Sequence, residues 1–262
     1  MTKLDQLTTV DEVAVLGYDK DAIVNIYVAN LAKYNEGELV GDWIALPKSM
    51  DEINAGIKQI LGNDEEIAIH DYEAPFRIGE HDNIANINEI AETLKDVDVD
   101  EKVMREIFGQ LGVDEGLTIL GNGDYRLYEN CYSMEDVAID ITSECGISES
   151  QAETYFDIDK LVRSLHAEGY FSEMAYQDAM EKDGHDENID DYMMDNEQEE
   201  THAEEIRDTY VSEMNNGHHE TNKKNALNWL TMYFDYEAFG RDLEIEGDFT
   251  YLGKGQYLEI IR

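Results

Sequence analysis

Residues 190–208 gather nine carboxylates, Asp190, Asp191, Asp195, Glu197, Glu199, Glu200, Glu204, Glu205 and Asp208, with Asp186 and Glu187 just before them. Carboxylates at such spacing can hold a hard cation, move protons, or accept charge-assisted hydrogen bonds from a basic partner. The first chemistry has a specific test in the EF-hand loop, which wants acids at its odd positions, glycine at the sixth and glutamate at the twelfth. Set on Gly184, the loop needs an acid where Ala179 stands; set on Gly247, it supplies Asp242, Glu244 and Glu246 but ends on Gly253. Both fail. The seven histidines form neither H-E-x-x-H nor another zinc spacing. His218-His219-Glu220 reads as a polar loop, and His70 beside Asp71 as a core or edge histidine. Gly121-Asn122-Gly123 and Gly253-Lys254-Gly255 are too short to cradle a phosphate, and G-x-x-x-x-G-K-[ST] and G-x-S-x-G are both absent. No carboxylate pair stands out among 61 acids for acid–base work. The residues support no enzyme, no cofactor and no dedicated metal site.

The third chemistry, recognition of a basic partner, fits the whole chain. Its 262 residues carry 61 Asp or Glu against 19 Lys or Arg, a net charge of −42. Such a surface repels DNA, RNA and anionic lipid, so direct nucleic-acid or membrane binding is excluded. Disorder is excluded too, because 42% of residues are hydrophobic, 10% aromatic, and only two are proline. Cys131 and Cys145 are too few for a disulfide framework. Met1 to Lys20 is interrupted by acids and has no apolar signal core, and no stretch approaches 18 apolar residues. A soluble, cytoplasmic protein is expected.

The charge concentrates in residues 173–220, with 17 acids against Lys182 and Arg207. Like charges at helical spacing each cost a few tenths of a kcal/mol, about 0.2–0.5, when no base answers them at i+4. Something outside the chain is expected to compensate. Duplex DNA carries one charge per about 1.7 Å of axis, so 42 charges correspond to about 71 Å, or about 21 base pairs. A chain of acidic helices can present that array to a basic groove, and DNA mimicry leads the reading. A chaperone or adaptor sequestering basic proteins is the alternative, with a calcium-binding module behind it.

The elements that must position these charges read as α+β, in several modules along an elongated chain. Asn25 to Leu31 and Gly41 to Pro47 read as strands about a turn at Tyr34-Asn35-Glu36-Gly37. Ser49 and Glu52 form a capping box for a helix to about Leu61, and Glu66 to Glu73 alternates as a third strand. This gives a small antiparallel sheet with a helix over residues 25–82, after an N-terminal extension of 1–24. Ile84, Ile87, Ala91 and Leu94, then Val103, Ile107 and Leu111, predict two helices that open an acidic helical middle over 83–186.

An internal repeat organises the remainder. Tyr155-Phe156-Asp157-Ile158-Asp159-Lys160-Leu161-Val162-Arg163-Ser164-Leu165 returns 78 residues later as Tyr233-Phe234-Asp235-Tyr236-Glu237-Ala238-Phe239-Gly240-Arg241-Asp242-Leu243. The register runs on to Phe171 and Phe249, with eight of 17 positions identical, too many for chance at one offset. Each copy follows an acidic helix, Ser133 to Cys145 and about Glu197 to Met214. The C-terminal domain, 187–262, then holds a helix and a hairpin of Phe249 to Leu252 and Gln256 to Ile261.

Three segments resemble the ArdA antirestriction proteins. Ile26-Tyr27-Val28-Ala29-Asn30-Leu31 through Lys33-Tyr34-Asn35-Glu36-Gly37-Glu38-Leu39-Val40-Gly41-Asp42-Trp43 is similar to the family's opening, and Ile69-His70-Asp71-Tyr72-Glu73-Ala74-Pro75-Phe76 to its third strand. The third is Tyr233 to Leu243, similar to the C-terminal antirestriction segment, so that the resemblance covers about 25–95 and 187–262. It implies a DNA-mimicking homodimer, carried on mobile elements, that occupies the groove of type I restriction-modification enzymes, chiefly the methyltransferase core with its specificity subunit. It places a dimer contact on the segment of Phe234, Asp235, Tyr236, Phe239, Arg241, Asp242 and Leu243, with Arg241 paired to an acid. On this resemblance, about 115–186 is an added module that carries the first repeat copy.

Overall fold

The computed structural model describes residues 16–183 and 189–262. Residues 1–15 of the expected N-terminal extension, and Asp186 and Glu187 of the acidic run, lie outside the described residues. The chain is α+β and divides into two compact units, one reaching Arg126 and taking in Ile260–Arg262, the other spanning Leu127–Glu259.

In the first unit, β1 (Val24–Asn30), β2 (Gly41–Leu46) and β3 (Ile67–Glu73) form an antiparallel sheet in the order β2-β1-β3. β1 lies between the other two and is buried everywhere but at Tyr27, which is why it reads as an almost continuous apolar run. Asn30 ends the strand and ties three elements together. Its Oδ1 accepts from the Lys33 N–H and caps the short helix α1 (Leu31–Asn35). Its Nδ2 donates to Asp64 at 2.9 Å and to the Leu61 carbonyl at 3.2 Å. The stretch expected as a turn is therefore partly helical, because a capping asparagine precedes it. The helix α2 (Met50–Leu61) starts at the expected Ser49/Glu52 capping box and buries Ile53 and Ile60.

Three helices complete this unit: α3 (Ile84–Leu94), α4 (Glu101–Leu111) and α5 (Val113–Asn122). The first two match the apolar spacing. The third escaped the sequence reading, since its Gly116 and Gly121 dilute the periodicity. Phe76, just past β3, meets Phe108 of α4 edge to face at 5.8 Å. Helices that read as the start of a separate middle thus belong with the sheet.

The second unit opens in β4 (Tyr125–Glu129) and runs through α6 (Met134–Cys145), α7 (Glu149–Tyr155), α8 (Ile158–Glu168) and α9 (Tyr170–Asp183). A 3-10 turn at Ile189–Tyr192 leads to α10 (Asn196–Asn216), α11 (Glu220–Thr231) and α12 (Tyr236–Glu246). The expected hairpin follows as β5 (Phe249–Gly253) and β6 (Gln256–Ile260), in a sheet of order β4-β6-β5. Capping boxes at Ser133/Asp136, Ser148/Gln151 and Asp195/Gln198 set the starts of α6, α7 and α10. The core joins both repeat copies: Phe156, Leu161, Leu165 and Phe171 lie in one cluster with Ala203, Val211, Leu230, Phe234 and Phe239. A smaller cluster of Tyr128, Cys131, Met134 and Val137 packs against Phe249 and Tyr257 of the hairpin.

Candidate functional site

The helix α10 sorts the acidic run into two faces. Glu197, Glu200, Glu204 and Asp208 follow one another at intervals of three, four and four residues, and all four are exposed. Along the axis they stand about 4.5–6 Å apart, at a rise of about 1.5 Å per residue. Glu205, also exposed, flanks this stripe and lies 3.3 Å from His202. The adjoining face, about 100° round the helix, buries Ala203, Arg207, Val211 and Met214 against the core. Arg207, though buried, bonds the exposed Asp208 at 2.8 Å.

Glu199 is a correction. It stands four residues before Ala203, on the core side, only 4% exposed and hydrogen-bonded at 2.7 Å to His166 of α8. It holds two helices together and offers nothing to a partner. Its spacing of four residues places it on the same buried stripe as Ala203, Arg207 and Val211. Asp195 has a local task too, accepting from the Gln198 N–H as the N-cap of α10. Asp190 and Asp191 are exposed in the 3-10 turn.

The acidic surface also draws on residues that sequence reasoning passed over. Glu149 and Glu153 of α7 line one cleft with Asp208 of α10, together with Ala152 and Val211. Carboxylates 55 or more positions apart in sequence thereby join a single surface. Among the described residues, no three His, Cys, Asp or Glu are grouped so as to hold a metal ion, and no helix is long and apolar enough to cross a membrane.

The residues singled out in the second repeat copy turn inward. Phe234 and Phe239 are 7% and 5% exposed, and Tyr236 and Leu243 pack at the edge of the same core. Asp235 accepts from the Ala238 N–H and caps α12, while Asp242 accepts from the Tyr155 hydroxyl at 2.7 Å. Arg241 remains on the surface and pairs with Glu237 at 3.2 Å. Burial pushes the Tyr236 phenol above its ordinary pKa. These side chains meet the first copy of the repeat, and the contact is reciprocal. The Asp235 N–H donates to the Tyr155 carbonyl at 2.7 Å, and the Asp157 N–H donates to the Tyr233 carbonyl at 2.8 Å. Phe156 and Phe234 face each other across this two-bond antiparallel bridge.

A sequence model of the antirestriction protein (ArdA) family matches residues 26–178, more than half of the chain. The chain belongs to the ArdA family. No curated protein matches it. The family's extent runs from within β1 through the rest of the first sheet, the helices α3–α5, and the first repeat copy to most of α9. It ends before α10. The resemblance had set the second copy, Tyr233 to Leu243, in the ArdA C-terminal segment and read 115–186 as added. The match runs the other way, with the first copy inside the ArdA span and the second beyond it. The two copies share eight of 17 positions, and the first departs from the second at Ile158, Lys160, Val162 and Ser164 among others. Residues 179–262 hold 22 of the 61 acids, so most of the charge precedes the second copy.

Proposed function

We propose that this ArdA-family protein acts as an antirestriction inhibitor by mimicking DNA. Its exposed carboxylates stand where the phosphates would lie in the groove of a type I restriction-modification enzyme, against the methyltransferase core and its specificity subunit. The observation that carries the reading is the stripe of Glu197, Glu200, Glu204 and Asp208, exposed along a helix whose adjoining face is pinned in the core. Its carboxylates, about 4.5–6 Å apart along the axis, match a strand's phosphates, one per about 3.4 Å, in order of magnitude. Lys and Arg of such a groove would donate charge-assisted hydrogen bonds to them.

Inhibition of this kind involves no catalysis and no cofactor. Cleavage and modification both require DNA in the groove, so both are blocked. The place of action is the cytoplasm, where a mobile element enters a host that restricts its DNA. The field of 42 negative charges steers association, which makes binding fast at low salt and weaker as salt screens it.

The deciding experiment is a titration of the protein into a type I methyltransferase bound to its target duplex, at about 50 and 200 mM salt. Displacement of the duplex is expected, with a several-fold weaker effect at the higher salt. Failure to displace at the lower salt overturns the reading. Binding to a basic protein that carries no DNA groove, without displacement of DNA, would place the protein among charge-sequestering adaptors instead.

A further inference from the structure

The two copies of the repeat are joined as the halves of a symmetric dimer are joined. In a two-fold contact the same patch serves on both sides, so that if residue i touches j, the equivalent of i touches the equivalent of j. The offset of 78 residues makes the comparison direct. The helices α8 (Ile158–Glu168) and α12 (Tyr236–Glu246) begin and end at equivalent positions. Their capping residues, Asp157 and Asp235, share one backbone conformation, φ −82°, ψ 88° and φ −86°, ψ 84°. The two backbone hydrogen bonds between Tyr155-Phe156-Asp157 and Tyr233-Phe234-Asp235 exchange under the same operation.

Side chains follow it as well. Tyr155 donates its hydroxyl to Asp242, and Tyr233 donates its own to Ser164, the residue equivalent to Asp242. The ring of Tyr155 lies 5.7 Å from Phe234, and that of Tyr233 lies 5.6 Å from Phe156. The helices also cross over. α12 of the second copy packs along α6, which precedes the first copy, and α8 of the first packs along α10, which precedes the second.

We propose that this chain carries its own dimer. The second copy fills, within one polypeptide, the Tyr155-Phe156-Asp157 surface that a chain with a single copy would offer to a second molecule, and the protein is a monomer in solution. Phe156 and Phe234 are both buried in this contact at 7% exposure, so neither is left to receive another chain. Tethering favours the internal pairing, because linked partners meet at an effective concentration of about millimolar. Self-repulsion between two chains of net charge −42 opposes the external one.

The test does not rest on the antirestriction reading, because it is made on the full chain alone. Sedimentation equilibrium in about 300 mM salt, a Debye length near 6 Å by interpolation, removes most of the repulsion that could hide a dimer. The expected mass is that of one chain, 30.0 kDa, at every micromolar loading. Twice that mass overturns the proposal. A second measurement tests the pairing itself, using Phe156→Cys with Phe234→Cys in a background of Cys131→Ser and Cys145→Ser. Facing residues across such a bridge are close enough for a disulfide. Oxidation is expected to consume both thiols and leave a single-chain band on a non-reducing gel. A covalent two-chain band, or thiols that stay free in a variant with the wild-type circular dichroism, overturns the proposal; should the variant not fold, the wild-type mass decides.

Discussion

The Tyr155 hydroxyl donates to Asp242 at 2.7 Å, whereas its counterpart Tyr233 reaches Ser164 at 3.3 Å. One half of the paired repeat therefore ends in a hydrogen bond to a carboxylate and the other in a longer bond between hydroxyls. Bonds to charged acceptors are worth about 1.5–3 kcal/mol and neutral ones about 0.5–1.5. With both pairs partly exposed, Tyr155→Phe is expected to cost about 1–2 kcal/mol and Tyr233→Phe about 0.5. Urea unfolding of the two variants measures the difference; equal losses would show that the asymmetry carries no energy.

The same bond predicts an alkaline limit. The Tyr155 pKa is pushed up to about 12 from 10.0, first by its hydrogen bond to Asp242, then by burial, then by the nearby carboxylates. The folded state thus holds this proton more tightly than the unfolded chain does. Its contribution to stability is complete below pH 10.0 and disappears as the pH rises to about 12. Urea midpoints between pH 9 and pH 12 should fall less steeply in Tyr155→Phe than in the wild type. Parallel curves would assign the alkaline loss to other tyrosines.

The fit of α12 on α6 is closest at Gly240. A Cβ there would lie 2.6 Å from the Met134 carbonyl oxygen and 2.9 Å from the Glu135 nitrogen, both backbone atoms that cannot swing aside. Gly240→Ala gains helix propensity, about 1 kcal/mol, but overpacking costs about 1–3. A net loss of up to about 2 kcal/mol is expected. Thermal unfolding reads it directly, and a stabilised variant would mean that the two helices can part at little cost.

On α10 the two faces should answer differently. Reversing Glu197, Glu200, Glu204 and Asp208 together to Lys should weaken inhibition of a type I methyltransferase at least tenfold and flatten its salt dependence. Single reversals should each change it less than threefold, since many weak contacts share the energy. Glu199→Ala should behave in the opposite way. It removes the partner of His166 and is expected to cost about 1–2 kcal/mol of stability while leaving inhibition by the folded protein unchanged. Inhibition that survives the fourfold reversal would move the mimic to another surface.

Much of the fold was legible because its signals are local. Ser49 with Glu52 and Ser133 with Asp136 announce helix starts, and the apolar run at Val24–Asn30 and the alternation at Ile67–Glu73 announce strands, each from a few neighbouring residues. β4 was not legible. Its Tyr128 bonds Glu259 at 2.6 Å, and nothing within Tyr125–Glu129 reports a partner so far along the chain. Nor do Glu168-Gly169 and Glu246-Gly247 look different in sequence. Yet Gly169 takes a left-handed φ of 76° and passes into α9, while Gly247 is extended at φ −110° and leads into β5. Phe171 sinks into the shared core after the first glycine, and Phe249 packs against Tyr128 after the second.

By itself, the sequence determined the charge, the partner class that charge excludes, most of the helices and strands, and the existence of two matching copies. Composition and periodicity suffice for these. Only the tertiary structure decided what the copies do with each other, and which carboxylates remain for a partner. The reason is physical: Phe156 and Phe234, or Glu199 and Glu200, have the same intrinsic chemistry, and only the packing of distant helices assigns one to the core, one to its own twin, and one to the surface.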